Sequence, residues 1–385
     1  MSIAHGQRQT FLHLLATLRP HWRSDAALPA RLQLALRGQR GIGARDRRLY
    51  RELVFTTLRH LPWVETLPDD DLVGLVAALA AETPATRVFR ATFARPALLA
   101  GLDRAALLPA WLREECPAAF TAPQLATLLS RAPLWVRLQT ATPATVFADW
   151  QDRGWRWQPS TVLPEAVRLL DEVDVTQTEP YAAGQFEVQD LGSQLLLAAV
   201  APSPGGHWLD ACAGAGGKTL QLARLLGATG RITAHDIRPA ALDELRLRAQ
   251  RAGSALGAPI TVALQPVGAF DGVLLDAPCS GSGTWRRAPH LKWTTTPATI
   301  ARAAATQRTL LDRFAAQVRP GGQLVYATCS LCRQENAANV AAFLDTHPDF
   351  APAPLAHTFG LTPEREGLTI WPAAHDTDGF FVARL

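Results

Sequence analysis

From Glu187 to the C-terminus, short β-type runs alternate with amphipathic helical runs, and this alternation restricts the fold more than any other feature of the chain. HWLDAC, RITAHDI, ITVAL, GVLLDAP and GQLVYATCS read as strands, while KTLQLARLLG, PAALDELRLRAQRAG and a long stretch near residues 297 to 318 read as helices. A strand that returns through a helix lies parallel to its predecessor, so the expectation is an α/β fold with a parallel sheet covered on both faces. ENAANVAAFLDTH adds a closing helix and FFVARL a last strand.

The first of these strands runs into Cys212, Ala213, Gly214, Ala215, Gly216, Gly217, Lys218 and Thr219 just before a helix. Doubly wound folds bring backbone amides against a ligand at this turn, and glycine keeps side chains out of the way. Asp236 ends the second strand nineteen residues after Gly217, where a carboxylate can accept both hydroxyls of an adenosine ribose. The segment also approaches the phosphate loop G-x-x-x-x-G-K-[ST], with VLLDAP as a Mg²⁺-binding strand, which would imply nucleotide hydrolysis. That pattern needs a glycine where the chain has Cys212, and it leaves two cysteine motifs downstream without a role.

Those motifs are Asp276-Ala277-Pro278-Cys279-Ser280 after the fourth strand and Thr328-Cys329-Ser330 at the end of the fifth. Both tips belong at the carboxyl edge of the sheet, beside the cofactor crevice. Carbon 5 of a pyrimidine is a poor nucleophile, and a thiolate adding to carbon 6 converts the ring to an enamine that can be alkylated. Such a site needs an activated thiol, a hydrogen-bonding group for the ring, a base and a donor. Two cysteines, Asp276 and Lys218 supply most of these parts. Cys116 reads as a small buried hydrophobe. Cys329 and Cys332 form a C-x-x-C pair, but no second pair or histidine cluster lies nearby, so no metal is expected and Cys332 reads as packing.

Upstream, residues 4 to 125 show helical periodicity broken by Pro and Gly, as in TFLHLLATL and RRLYRELVFTTLRHL. Short β-type runs then flank the helix ATVFADWQDRG up to the Gly184 turn. The expected division is therefore a helical domain over 1–128, a small α/β linker domain over 129–185 and the doubly wound domain over 186–385. Residues 1–60 hold eleven Arg against Asp25, Asp46 and Glu52, a local balance of +8 within a chain of net charge +4. A basic end on a near-neutral body suits a polyanion, with a solvated helical face as the alternative. Only Lys218 and Lys292 among the 38 basic residues are lysine, which points to a need for an ammonium group there. No apolar run reaches the roughly 20 residues that cross a bilayer, and the expected location is the cytoplasm.

FEVQDLGSQ (186–194), DACAGAGGKT, LLDAPCSGSGTWRRAPHLKW, LVYATCSLCRQEN and DGFFVARL, in this order, resemble the bacterial 16S ribosomal RNA cytosine-C5 methyltransferase B family. The resemblance spans nearly the whole chain. It implies a Rossmann-like class I S-adenosylmethionine-dependent methyltransferase domain, preceded by an RNA-recognition-like linker and an all-helical NusB-like RNA-binding domain. It implies that Cys329 attacks carbon 6 of a cytosine, while Cys279 assists breakdown of the adduct. It further implies that Cys212 to Lys218 line the cofactor, Asp236 holds its ribose, and Asp276 lies between cofactor and base with Lys218 pointing toward it.

Arg286, Arg287 and Lys292 would then lie against RNA. The implied partner is 16S rRNA or a small-subunit assembly intermediate, met by a monomer, with tRNA or a non-catalytic role in ribosome assembly as alternatives. Three departures stand out: the family loop usually carries Pro where this chain has Ala215, Gln265 replaces an Asp near the adenine, and His290 replaces an acidic residue before Lys292.

Overall fold

A computed structural model describes residues 3–39 and 41–385; the first two residues and Arg40 of the expected helical domain lie outside it. By contacts the chain divides into two compact units: residues 1–131 with Trp285–Pro297, and residues 132–284 with 298–385.

The first unit is helical. Ile3–Leu18, Leu28–Gly38, Ala44–Arg59 and Asp69–Leu79 supply a core that includes Phe11, Leu14, Leu32, Leu53, Val54, Leu72 and Val76. In the first three helices the apolar residues recur three and four apart, so each buries a stripe, while Arg59 at the end of the third is itself buried and the fourth buries every residue from Leu72 to Ala77. Asp69, Asp70 and Asp71 occupy the first turn of the fourth of these helices, where negative charge complements the helix dipole.

The second unit contains two sheets. Strands β1 (Leu134–Leu138), β2 (Trp157–Pro159), β3 (Ala166–Leu169) and β4 (Phe186–Val188) form an antiparallel sheet in the order β2-β3-β1-β4. Trp150, on the helix Pro143–Asp152, packs into its core with Val136, Val167 and Phe186. β4 pairs with β1, which places residues 186–188 in the small sheet and not in the doubly wound domain that the expected boundary at 186 gave them. Register decides this: Phe186 faces Leu138, so its ring enters the core of the small sheet.

The larger sheet is built from β5 (Gly206–Asp210), β6 (Gly230–Ala234), β7 (Ile260–Val262), β8 (Phe270–Asp276), β9 (Val318–Thr328), β10 (Leu368–Ile370) and β11 (Phe380–Arg384). Its order is β10-β11-β9-β8-β5-β6-β7, parallel except for β11, which pairs antiparallel with both β9 and β10. The order reverses between β5 and β8, so the crevice of the sheet opens at the carboxyl ends of these two strands. The expected doubly wound fold is present, and the short strands β2 and β10 are additions that their low alternation hid.

Candidate active site

Three tips meet the crevice. β5 delivers Cys212 to Lys218, β8 delivers Asp276 to Ser280, and β9 delivers Thr328 to Ser330. Gly214 (φ 54°) and Gly216 (φ 90°) take the left-handed conformation that L side chains avoid, which lets the loop turn tightly into the helix Gly217–Leu226. A Cβ on Gly214 would meet only the Arg238 guanidinium, at 3.6 Å, so the loop presents open backbone.

Asp236 accepts from the Gly214 amide at 2.9 Å and from the Arg238 backbone and guanidinium, each at 2.9 Å. The Arg238 hydrogen bonds hold its carboxyl below the usual carboxylate range despite partial burial. Asp210 lies fully buried behind the loop. Its Oδ2 accepts from Thr219 Oγ1 at 2.7 Å, whereas its Oδ1 has no partner among the described residues. Burial pushes its pKa up to about 7, against the opposing effect of the Thr219 bond. The open glycine backbone, the ionised Asp236 and the orphaned Asp210 oxygen together fit a nucleoside cofactor that carries hydrogen-bond donors.

Lys218 Nζ donates to Asp276 Oδ2 at 2.8 Å. Burial opposes its charge, but Asp276 beside it and Cys329 nearby more than offset this, so the ammonium stays above its ordinary pKa. The Cys279 and Cys329 sulfurs are 3.3 Å apart. The hydrogen bond with Cys329, then burial, raise the Cys279 pKa well above normal, so Cys279 keeps its proton. Burial likewise pushes the Cys212 thiol up to about 12 and the Cys116 thiol up to about 11, which makes both inert. Cys332 is fully buried, with its backbone amide on Ser330 Oγ at 3.0 Å.

Glu335 organises both cysteine tips. This fully buried carboxylate accepts from the Ser280 amide (2.8 Å), Ser280 Oγ (2.5 Å), Ser330 Oγ (2.5 Å) and Gln307 Nε2 (3.1 Å). Gln307, on the helix Pro297–Ala315, also donates to Pro278 O at 2.9 Å. One acid therefore holds the residue after Cys279 and the residue after Cys329. The sequence reading gives Glu335 no role, although a lone acid six residues past Cys329 is a usable signal. Gln307 carries no such signal.

Two expected RNA contacts are corrected. Arg286 and Lys292 are 1% and 2% exposed and belong by contact to the helical unit. Arg286 Nη2 donates to Ser130 Oγ (2.8 Å) and Arg131 O (3.0 Å), and Lys292 Nζ donates to Arg59 O (2.9 Å). A guanidinium or ammonium buried against protein oxygens has no surface left for a phosphate. Arg287 and Gln265 are exposed, the latter in the loop after β7. His290 Nε2 lies 3.1 Å from Ala26 O, so it closes a protein contact.

The strand order, the glycine turn and the crevice position of the reactive tips define a Rossmann-like methyltransferase fold. Residues 197–385 match the family described as 16S rRNA methyltransferase RsmB/F. Residues 197–385 belong to this family. The chain is 37% identical over 265 residues to ribosomal RNA small subunit methyltransferase B of Vibrio cholerae, covering 66% of this chain and 59% of that protein. It is 35% identical over 293 residues to the protein of the same name from Xanthomonas campestris pv. campestris, covering 72% and 66%. The chain thus spans about three-fifths of the length of the first of these relatives. Among solved structures, PH0851 superposes with a TM-score of 0.74 at 21% identity, covering 100% of this chain and 99% of that one. NSun6 from Pyrococcus horikoshii with SFG gives 0.63 at 19% identity, covering 72% and 97%. Both share the fold.

Proposed function

We propose that this chain is an S-adenosylmethionine-dependent RNA methyltransferase that methylates carbon 5 of a cytosine in 16S rRNA. The observation that carries the reading is the pair of sulfurs 3.3 Å apart at the tips of β8 and β9, with Lys218 and Asp276 salt-bridged at the same edge. The names of the curated relatives support the small-subunit RNA as substrate. The cofactor, when bound, supplies an electrophilic methyl group; Gly214, Gly216, Asp236 and Asp210 are the residues that would hold it.

The chain's own groups then divide the work. The Cys329 thiolate bonds to carbon 6 of a cytosine taken out of its stack, and the ring's electron pair moves toward carbon 5. Asp276, oriented by Lys218, hydrogen-bonds the ring. After methylation the carbon 5 proton leaves to a base, the carbon 6–sulfur bond breaks, and the thiolate is regenerated. Cys279, which keeps its proton, serves this release step. Arg287 and the exposed arginines of the helix Ala44–Arg59 meet the surrounding phosphates. The protein acts as a cytoplasmic monomer on free rRNA or an assembly intermediate.

Covalent trapping tests the reading. With 5-fluorocytosine-substituted small-subunit rRNA and S-adenosylmethionine, the wild type should give a band shifted on a denaturing gel that Cys329→Ala abolishes and Cys279→Ala retains. Loss only in Cys279→Ala would exchange the roles of the two cysteines. Absence of any adduct, despite cofactor binding, would overturn the substrate assignment.

A further inference from the structure

Ala215 sits between two glycines in left-handed backbone, so two of three consecutive residues in the cofactor loop have little intrinsic stiffness. No hydrogen bond from its own amide forms among the described residues. Its carbonyl, however, accepts from Arg248 Nη1 at 2.8 Å. Arg248 lies on the helix Pro239–Ala252, and its other edge is held by Glu187 Oε2, at 2.9 Å from Nη2 and 3.2 Å from Nε. Glu187 belongs to β4 and is 1% exposed; Arg251 Nη2 occupies its other oxygen at 2.5 Å. One turn back on the same helix, Leu245 packs under the loop so closely that a Cβ on Gly216 would fall 2.8 Å from its Cγ.

The guanidinium therefore spans from a buried carboxylate in the small sheet to the loop carbonyl, with three of its nitrogens engaged. A planar guanidinium whose Nε and Nη2 both donate to one buried carboxylate oxygen is among the most restrained polar side chains. A donor fixed in this way restricts the loop from outside, much as a proline at position 215 would restrict it through its ring.

We infer that Arg248, held by Glu187, is a positioning residue that keeps the 213–217 loop in its cofactor-binding conformation in place of a proline. The clamp rests on the S-adenosylmethionine reading above only for its ligand; its action on the loop is independent of it. Because Glu187 lies in β4, the cofactor loop is also tied to the small sheet through two side chains.

Hydrogen exchange of the 213–217 amides, measured without cofactor, and calorimetric binding of S-adenosylmethionine test the clamp in wild type, Arg248→Ala, Glu187→Gln, Ala215→Pro and the Arg248→Ala/Ala215→Pro double variant. Loss of one charge-assisted hydrogen bond at a loop predicts about tenfold weaker binding and faster loop exchange in Arg248→Ala, with a smaller change in Glu187→Gln. The losses caused by Arg248→Ala should be much smaller on the Ala215→Pro background than on wild type, a non-additivity that a merely structural role for Arg248 would not give. The clamp is overturned if folded Arg248→Ala binds within about twofold of wild type. It is equally overturned if binding weakens while loop exchange is unchanged and the loss is the same on the proline background. Failure of the wild type itself to bind S-adenosylmethionine would overturn the functional reading, while the exchange data would still decide the clamp.

Discussion

The two units differ in the titratable groups they bury around their loops. In the helical unit the buried groups are bases: Arg59, His60, Arg286 and Lys292, whose heads reach carbonyl oxygens of Arg286, Thr56, Arg131 and Arg59 respectively. Burial, then the charge of Arg59, drives the Lys292 pKa well below normal, and burial takes His60 down to about 3. In the second unit the buried groups include the acids Asp210, Glu187 and Glu335, placed behind the glycine loop and the cysteine tips. Buried bases on carbonyls tie chain segments together, as Lys292 and Trp293 tie residues 285–297 to Leu58 and Arg59. Buried acids gather several donors at once, and so fix loops whose backbone has no regular partner.

The sharpest test of that contrast is removal of the hub. Glu335→Ala leaves four donors without their acceptor and should destabilise the second unit by roughly 3–5 kcal/mol in urea unfolding, with loss of the trapped adduct. A loss under about 1 kcal/mol would mean that water replaces the carboxylate without penalty.

Titration should separate the units by sign. Asp210 binds its proton more tightly folded, with a pKa of about 7 against 3.8, so its contribution is full below pH 3.8 and is lost as pH rises to about 7. Asp210→Asn should remove that decline and gain on wild type by a few kcal/mol, of order, on moving from pH 4 to pH 8. His60 runs the other way: its folded pKa is about 3 against 6.5, so its contribution is present above pH 6.5 and is lost as pH falls toward 3. Between pH 6.5 and 5 this amounts to about 2 kcal/mol, and His60→Gln should flatten the acid limb of the helical unit's unfolding. Equal pH slopes for the two units would break the comparison.

The smallest effects should come from single basic residues of the helical unit. Arg47→Ala and Arg48→Ala, both on exposed positions, should each lower the salt slope of RNA binding by up to about one unit. Lys292→Met should leave that slope unchanged, since its ammonium already faces Arg59 O. A lower slope in Lys292→Met would return this lysine to the RNA surface.

Much of the site was legible because its chemistry is written in contiguous residues. The glycine turn, Asp276, Cys279 and Cys329 each sit at the end of a strand that the apolar pattern reveals, and parallel strands bring their carboxyl ends to one edge. Asp210 was overlooked because an acid at a strand end looks the same whether it is buried or exposed. Arg286 and Lys292 were misplaced for a related reason: a basic residue in a polar loop reads as solvent-facing, and only long-range packing shows otherwise.

The sequence by itself determined the parallel sheet, its glycine turn and the two cysteine tips, since local periodicity and strand-end chemistry depend on neighbours within a few residues. Tertiary structure alone decided that the two sulfurs lie 3.3 Å apart, that Glu335 serves both tips, that Arg248 reaches Ala215, and that residues 285–297 join the helical unit. Each of these contacts joins side chains or backbone groups brought together only by the finished fold, and no local pattern encodes which distant donor will meet a buried acceptor.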